Sequence, residues 1–218
     1  MTGTVLRVGA GRGFVIETND ARYVVTAAHC LPELPPAHPG SHLHERTYKD
    51  FFGALDGSRN VWAECVFVNP VADIAVFGEP DSQALSAQAE AYRDLTDNAT
   101  PFALGRLRYR RSVYRLPDGT TVPGNGTATS KALMLSLEGE WFSCRIVSIG
   151  VGRSLWISNA AQPIRGGMSG SPIILPDGSA VGVMCVSMAP EGTEHREGGP
   201  NPVLTAALPA WLAREAQR

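Results

Sequence analysis

The 218-residue chain reads as an all-β protein with a helix at its C-terminal end. Short apolar, β-branched runs recur along almost its whole length, and Gly, Pro, Asp and Asn punctuate them as turns would. A chain of this size can bury a large core, and all-β units of such length can form one protein.

Taken in order, TVLRVGA, GRGFVIE, RYVVTAA, NVWAECVFV and DIAVF make a first set of strand candidates. ALGRLRYRRSVYR, KALMLSL, FSCRIVSIG, SLWIS, PIIL and AVGVMCVS make a second. The polar stretch TDNATP divides them near residue 95, giving units 1–95 and 96–218. The closing NPVLTAALPAWLAREAQR reads as an amphipathic helix. Pro202 suits its start, and Leu204, Leu208, Trp211 and Leu212 form an apolar stripe that Pro209 kinks or divides. Packing against the strands is its expected role.

Composition excludes several function classes. With 19 basic and 21 acidic residues, a formal charge of −2, the chain lacks the broad positive field of a nucleic-acid-binding surface. The basic cluster RYRR (108–111) is local and is expected to face solvent or form ion pairs, with an acidic protein partner as the alternative. GAGRG near the start lacks the spacing and βαβ setting of a nucleotide loop. No apolar span is long enough for a transmembrane helix, so no membrane partner is expected. MTGTVLRVGAGRGF has no sustained apolar region, which favours a cytoplasmic location. PEGTEHREGGPNP reads as an exposed loop that could overhang a cleft.

Three segments carry chemistry. TAAHC (26–30), DIAVF (73–77) and GMSGSP (167–172) supply His29, Asp73 and Ser169. A serine hydroxyl attacks a carbonyl only when a base removes its proton, and an imidazole does this best when a carboxylate fixes its tautomer. His29 follows the apolar run RYVVT, and Asp73 opens another, which favours partial burial of the carboxylate. Singly, each fits a structural histidine or a turn carboxylate; the combination with the serine loop favours catalysis. In RGGMSGSP the glycines at 166, 167 and 170 allow a tight turn around Ser169, with the amides of Gly167 and Ser169 as oxyanion donors. Ser171 is the competing hydroxyl and is assigned a structural role.

On these residues the chain resembles the trypsin-like, chymotrypsin-fold serine proteases, especially their bacterial branches. The resemblance rests on Thr26-Ala27-Ala28-His29-Cys30, Asp73-Ile74-Ala75-Val76 and Gly167-Met168-Ser169-Gly170-Ser171-Pro172, and it covers nearly the whole chain. It implies two six-stranded antiparallel β-barrels of the chymotrypsin-like fold with a C-terminal helix. His29 (base) and Asp73 (orienting carboxylate) then come from the first barrel and Ser169 (nucleophile) from the second, with the active site between them. The spacing fits: 44 residues separate His29 from Asp73, and 96 separate Asp73 from Ser169.

Secreted relatives bridge the cysteine beside the histidine to one in the preceding strand. Here that strand, GRGFVIE, has none, so the scattered cysteines 30, 65, 144 and 185 are expected as reduced, buried thiols. They lack metal-ligand spacing, and the chemistry needs neither metal nor cofactor. Animal relatives have an aspartate before the serine to receive a new amino terminus; Met168 stands here, so that zymogen switch is not expected.

If the family's pocket register carries over, Pro163 and Ile164 lie near the pocket base, while Cys185, Val186 and Ser187 form a wall and an edge strand for substrate. Pro163 matches the family's basic-specificity aspartate and argues against a strict Arg/Lys preference. Met184 does not match the histidine of glutamate-specific relatives, which leaves a small or modest apolar residue before the cleaved bond. Arg165 is a candidate substrate contact. The expected activity is hydrolysis of peptide bonds in protein or peptide substrates through an acyl-enzyme. The alternatives are a catalytically silent protease-fold binding protein and a protease activated by a protein partner. An esterase would show G-x-S-x-G, whereas the last position here is Ser171.

Overall fold

In this computed structural model, residues 3–18, 21–36, 45–110, 113–124, 126–149, 155–185 and 203–207 are described. Six antiparallel strands close the first barrel: β1 (Val5–Val8), β2 (Gly11–Glu17), β3 (Arg22–Thr26), β4 (Thr47–Ala54), β5 (Val61–Asn69) and β6 (Ile74–Gly78). Their order around the barrel is β1-β2-β3-β6-β5-β4, and the pairing of Leu6 with Ala54 completes the ring. The interior is aromatic. Tyr48, Phe51, Phe52 and Phe77 pack with ring centroids 5.0 to 5.7 Å apart. Such pairs add directional contact to area burial.

β4 is absent from the sequence-derived strand set. Its charged Lys49 and Asp50 interrupt the apolar alternation, and Asp50 takes a left-handed conformation (φ 49°) where the register with β5 shifts. A helix, α1 (Ser86–Asp97), was also not foreseen; it buries only Ala89, Tyr92 and Thr96 and contacts β5 and β3. The Tyr92 hydroxyl donates to the carbonyls of Phe77 (3.0 Å) and Arg22 (3.2 Å), so this buried phenol is satisfied.

The second closed barrel contains β9 (Thr127–Leu135), β10 (Trp141–Ile149), β11 (Leu155–Ser158), β12 (Pro172–Ile174), β13 (Ala180–Val183) and β14 (Val203–Ala207), in the order β10-β11-β14-β13-β12-β9. Two expectations are corrected here. Residues 203–207, assigned to the terminal helix, form β14 between β11 and β13; residues 208–218, with Pro209, lie outside the described residues. The run ALGRLRYRRSVYR gives no barrel strand. Val113–Arg115 (β7) pairs instead with Thr121–Pro123 (β8) in a separate two-stranded sheet, and Arg108 and Arg110 are exposed. The loop 190–202 also lies outside the described residues.

An apolar core joins the barrels. Phe14, Ile16, Val25, Cys30, Ile74 and Val76 of the first pack with Leu135, Ile174, Ala180, Val183 and Cys185 of the second. The connecting strap follows the same seam: Phe102 N–H donates to the Val15 carbonyl (2.8 Å) and Gly105 N–H to the Ala180 carbonyl (2.7 Å). All four cysteines are buried and none forms a disulfide. Among the described residues no helix is long and apolar enough to cross a membrane.

Candidate active site

His29 sits in a single 3-10 turn, Ala28–Cys30, entered directly from β3. Asp73 precedes β6, which pairs with β3, so sheet register alone brings the two residues together. One carboxylate holds the histidine at two points. Asp73 Oδ1 accepts from the His29 amide (2.8 Å), and Oδ2 lies 2.7 Å from Nδ1 of the ring. This fixes both backbone and imidazole, with the Nδ1 proton directed at the carboxylate. Asp73 itself adopts a left-handed conformation (φ 53°), which short polar side chains tolerate best.

The electrostatics agree with this geometry. The hydrogen bond from Asp73 raises the His29 pKa above its ordinary value; burial opposes this, and the Asp73 charge adds to it. Burial alone would raise the Asp73 carboxyl, but the hydrogen bonds and charge of His29 outweigh it, with help from the Cys185 thiol, and hold the group below the ordinary carboxylate range. Cys185 Sγ also donates to the Asp73 carbonyl (3.3 Å), tying the second barrel to this residue.

Ser169 occupies a turn immediately before β12, and only 6% of the residue is exposed. The turn is docked on the first barrel by backbone contacts. Arg12 N–H donates to the Ser169 carbonyl (2.8 Å), and Gly170 lies so close to the Arg12 carbonyl that any Cβ there would overlap it. The same carbonyl accepts from Thr26 Oγ1 (2.6 Å), three residues before His29. The serine turn and the histidine turn therefore share one anchor in β2. Gly167 (φ 89°) and Gly170 (φ 81°) are left-handed, as the RGGMSGSP pattern suggests. No acceptor among the described residues engages the amides of Gly167 and Ser169, and no hydrogen bond links Ser169 Oγ to His29.

Met168 is buried in the second-barrel core, and Arg165 N–H approaches its sulfur at 3.3 Å. Ser171 is buried through backbone bonds to Met168 and Met184. Pro163 and Arg165 border a cleft closed on its other side by Ser136, Leu137, Glu138 and Glu140, with Met168 in its wall. Arg165 is exposed and 3.9 Å from Glu138. Ile164 packs against the second-barrel core rather than opening into the cleft. Cys185 faces Asp73; Val186 and Ser187 lie outside the described residues. No group of three or more His, Cys, Asp or Glu side chains suited to a metal occurs among the described residues. Sequence reasoning missed Arg12. Its signal is an arginine between two glycines in a strand whose other residues, Glu17 excepted, are apolar.

The trypsin-like peptidase domain family matches residues 11–183, a span holding His29, Asp73 and Ser169. The chain belongs to that family. Two solved structures are similar to this peptidase domain at low identity. One is the HtrA-type protease AlgW with a decapeptide (16% identity, TM-score 0.45), where the match covers 95% of this chain and 50% of that one. The other is the Rv3671c protease in an inactive form (16% identity, TM-score 0.39, 98% and 86% covered). The peptidase domain thus spans half the length of the AlgW chain. No curated protein matches it in sequence.

Proposed function

We propose that this peptidase domain is a serine endopeptidase that cleaves through an acyl-enzyme. The observation that carries the reading is the two-point grip of Asp73 on His29, beside a serine turn docked on the same strand. In the proposed cycle Ser169 Oγ attacks the scissile carbonyl as His29 Nε2 takes its proton. Asp73 stabilises the imidazolium, and the Gly167 and Ser169 amides stabilise the oxyanion. His29 then protonates the leaving amine, and a water activated by the same imidazole releases the acyl group.

Pro163 in place of a carboxylate at the pocket base supports cleavage without a strict basic preference, after small or modest apolar residues. The absence of a disulfide among the four buried cysteines supports a reducing, cytoplasmic setting. A partner-activated form of the same protease is a second reading. The near-complete burial of Ser169 favours it, because a partner could open and order the turn. Hydrogen bonds of resting enzymes commonly tighten only with substrate, which the first reading requires here.

A tagged fluorophosphonate, applied to the purified chain and to Ser169→Ala, tests both. Labelling at Ser169, mapped by peptide mass spectrometry and absent from the variant, is expected. A folded chain that stays unlabelled even with peptide substrates present would overturn the first reading.

A further inference from the structure

We infer that Arg12 is the positioning residue that sets the oxyanion turn, gripping it from two sides; this rests on the proposed roles of Gly167 and Ser169. Arg12 is 6% exposed, and its guanidinium is spent on three consecutive carbonyls of the other barrel. Nη1 donates to Leu135 (3.2 Å) and Ser136 (2.7 Å), and Nη2 to Leu137 (3.1 Å). Those carbonyls open the turn between β9 and β10, which closes through Ser136 N–H to Glu140 (2.8 Å) and Gly139 N–H to Ser136 (3.2 Å). At the corner of that turn, Leu137 Cδ2 stands 3.3 Å from where a Cβ of Gly167 would lie. The guanidinium thus holds Leu137 against one flank of the oxyanion turn, while the Arg12 amide holds Ser169 on the other.

Charge chemistry explains why the residue is arginine. Taking a cation out of water costs several kcal/mol, and an apolar side chain could fill the same space. Glu138 lies near enough to offset part of that cost, yet it is exposed and does not bond the guanidinium. What only a planar fork supplies is simultaneous, directional donation to several acceptors. Arg12→Lys keeps the charge and loses that fork.

Two variants test the inference: Arg12→Lys, and Leu137→Ala, whose side chain is 41% exposed and so of little consequence for folding. Each is expected to slow fluorophosphonate acylation of Ser169 by about a hundredfold, the size of effect that small misplacement of reacting groups produces. For a peptide substrate the loss in Arg12→Lys is expected in kcat, with KM and the pH midpoint unchanged. The double variant is expected to be no slower than the slower single variant, because both break one chain of contacts. Hydrogen exchange supplies a readout independent of activity: amides in the 166–170 peptide exchange faster in both variants, while β5 is unchanged.

Wild-type chain unlabelled at Ser169 would sink the reading of an unassisted protease, and the exchange data would still decide on Arg12. Wild-type rates and unaltered exchange in Arg12→Lys, or additive effects in the double variant, would overturn the role given to Arg12. If Arg12→Lys does not fold, Leu137→Ala carries the same labelling and exchange expectations and the same power to refute.

Discussion

Replacing Asp73 with Asn isolates the orienting role proposed for the carboxylate. The backbone tolerates the change, since Asn adopts the left-handed conformation held here at φ 53° as readily as Asp. The amide oxygen can still accept from the His29 N–H, now 2.8 Å from Oδ1. The amide nitrogen would then stand where Oδ2 sits, 2.7 Å from Nδ1, and present a donor to it. The ring must turn that nitrogen into an acceptor and carry its proton on Nε2, so Nε2 can no longer accept from Ser169. A wrong tautomer of this kind costs about 10⁴-fold in rate, equivalent to about 5.5 kcal/mol of transition-state stabilisation. Second-order fluorophosphonate labelling, followed against pH, measures it. Thermal unfolding of the variant establishes that the fold persists. An Asp73→Asn chain that labels within a few-fold of wild type would refute the assignment of Asp73 as orienter, whatever the fate of Ser169.

Because the Asp73 hydrogen bond is the main cause of the raised His29 pKa, acylation by wild type is expected to rise with pH through a midpoint above 6.5; a midpoint at or below that value contradicts the geometry. The pair also links stability to pH. The raised His29 stabilises below 6.5 and loses that contribution as pH rises through its folded value, whereas the lowered Asp73 stabilises above 3.8 and loses its contribution as pH falls through its folded value. The melting temperature of wild type over Asp73→Asn is therefore expected to be greatest between these values. Gly170→Ala forces an L-residue into a left-handed conformation, at about 1–2 kcal/mol, and displaces the bond from Thr26 to Arg12, at about 1 kcal/mol. Denaturant titration should show about 2–3 kcal/mol lost, and a loss below about 1 kcal/mol would mean the turn is not docked on Arg12. Burial pushes the thiols of Cys30 and Cys65 up to about 11 and of Cys144 up to about 12, so alkylation of these three at pH 8 is expected only after denaturation, as mass spectrometry can count.

Much of this architecture is visible in the pattern of residues. DIAVF and GRGFVIE are buried on both faces apart from Glu17, and unbroken apolar runs report that directly. β4 hides because a bulge at Asp50 breaks the two-residue period on which strand recognition depends. α1 hides because it buries only three residues, one of them a threonine. The segment 203–207 misleads for the opposite reason. Its leucine and alanines favour a helix locally, yet the free edges of β11 and β13 recruit it as a strand, and tertiary pairing overrides propensity. In the site, His29, Asp73 and the glycine turn are legible because their chemistry dictates residue type. Arg12 is not, since its meaning lies in carbonyls 123 to 125 residues away.

The division of labour between the barrels has a consequence for control. The first barrel holds the proposed base and orienter through one carboxylate, and the second supplies the serine turn, but the turn takes its position from the first barrel, through the amide and carbonyl of Arg12. Beneath the turn, where a charged residue could tie its geometry to an ionisation, the chain has Met168, 1% exposed within an apolar cluster. Among the described residues no carboxylate or imidazole is buried in that cluster to draw the turn into place. Its order must come from packing and from the hydrogen bonds of Arg12, whose guanidinium stays charged across the accessible pH range despite the lowering that burial causes. In the proposed mechanism the pH dependence of acylation is then expected to follow a single ionisation, that of His29.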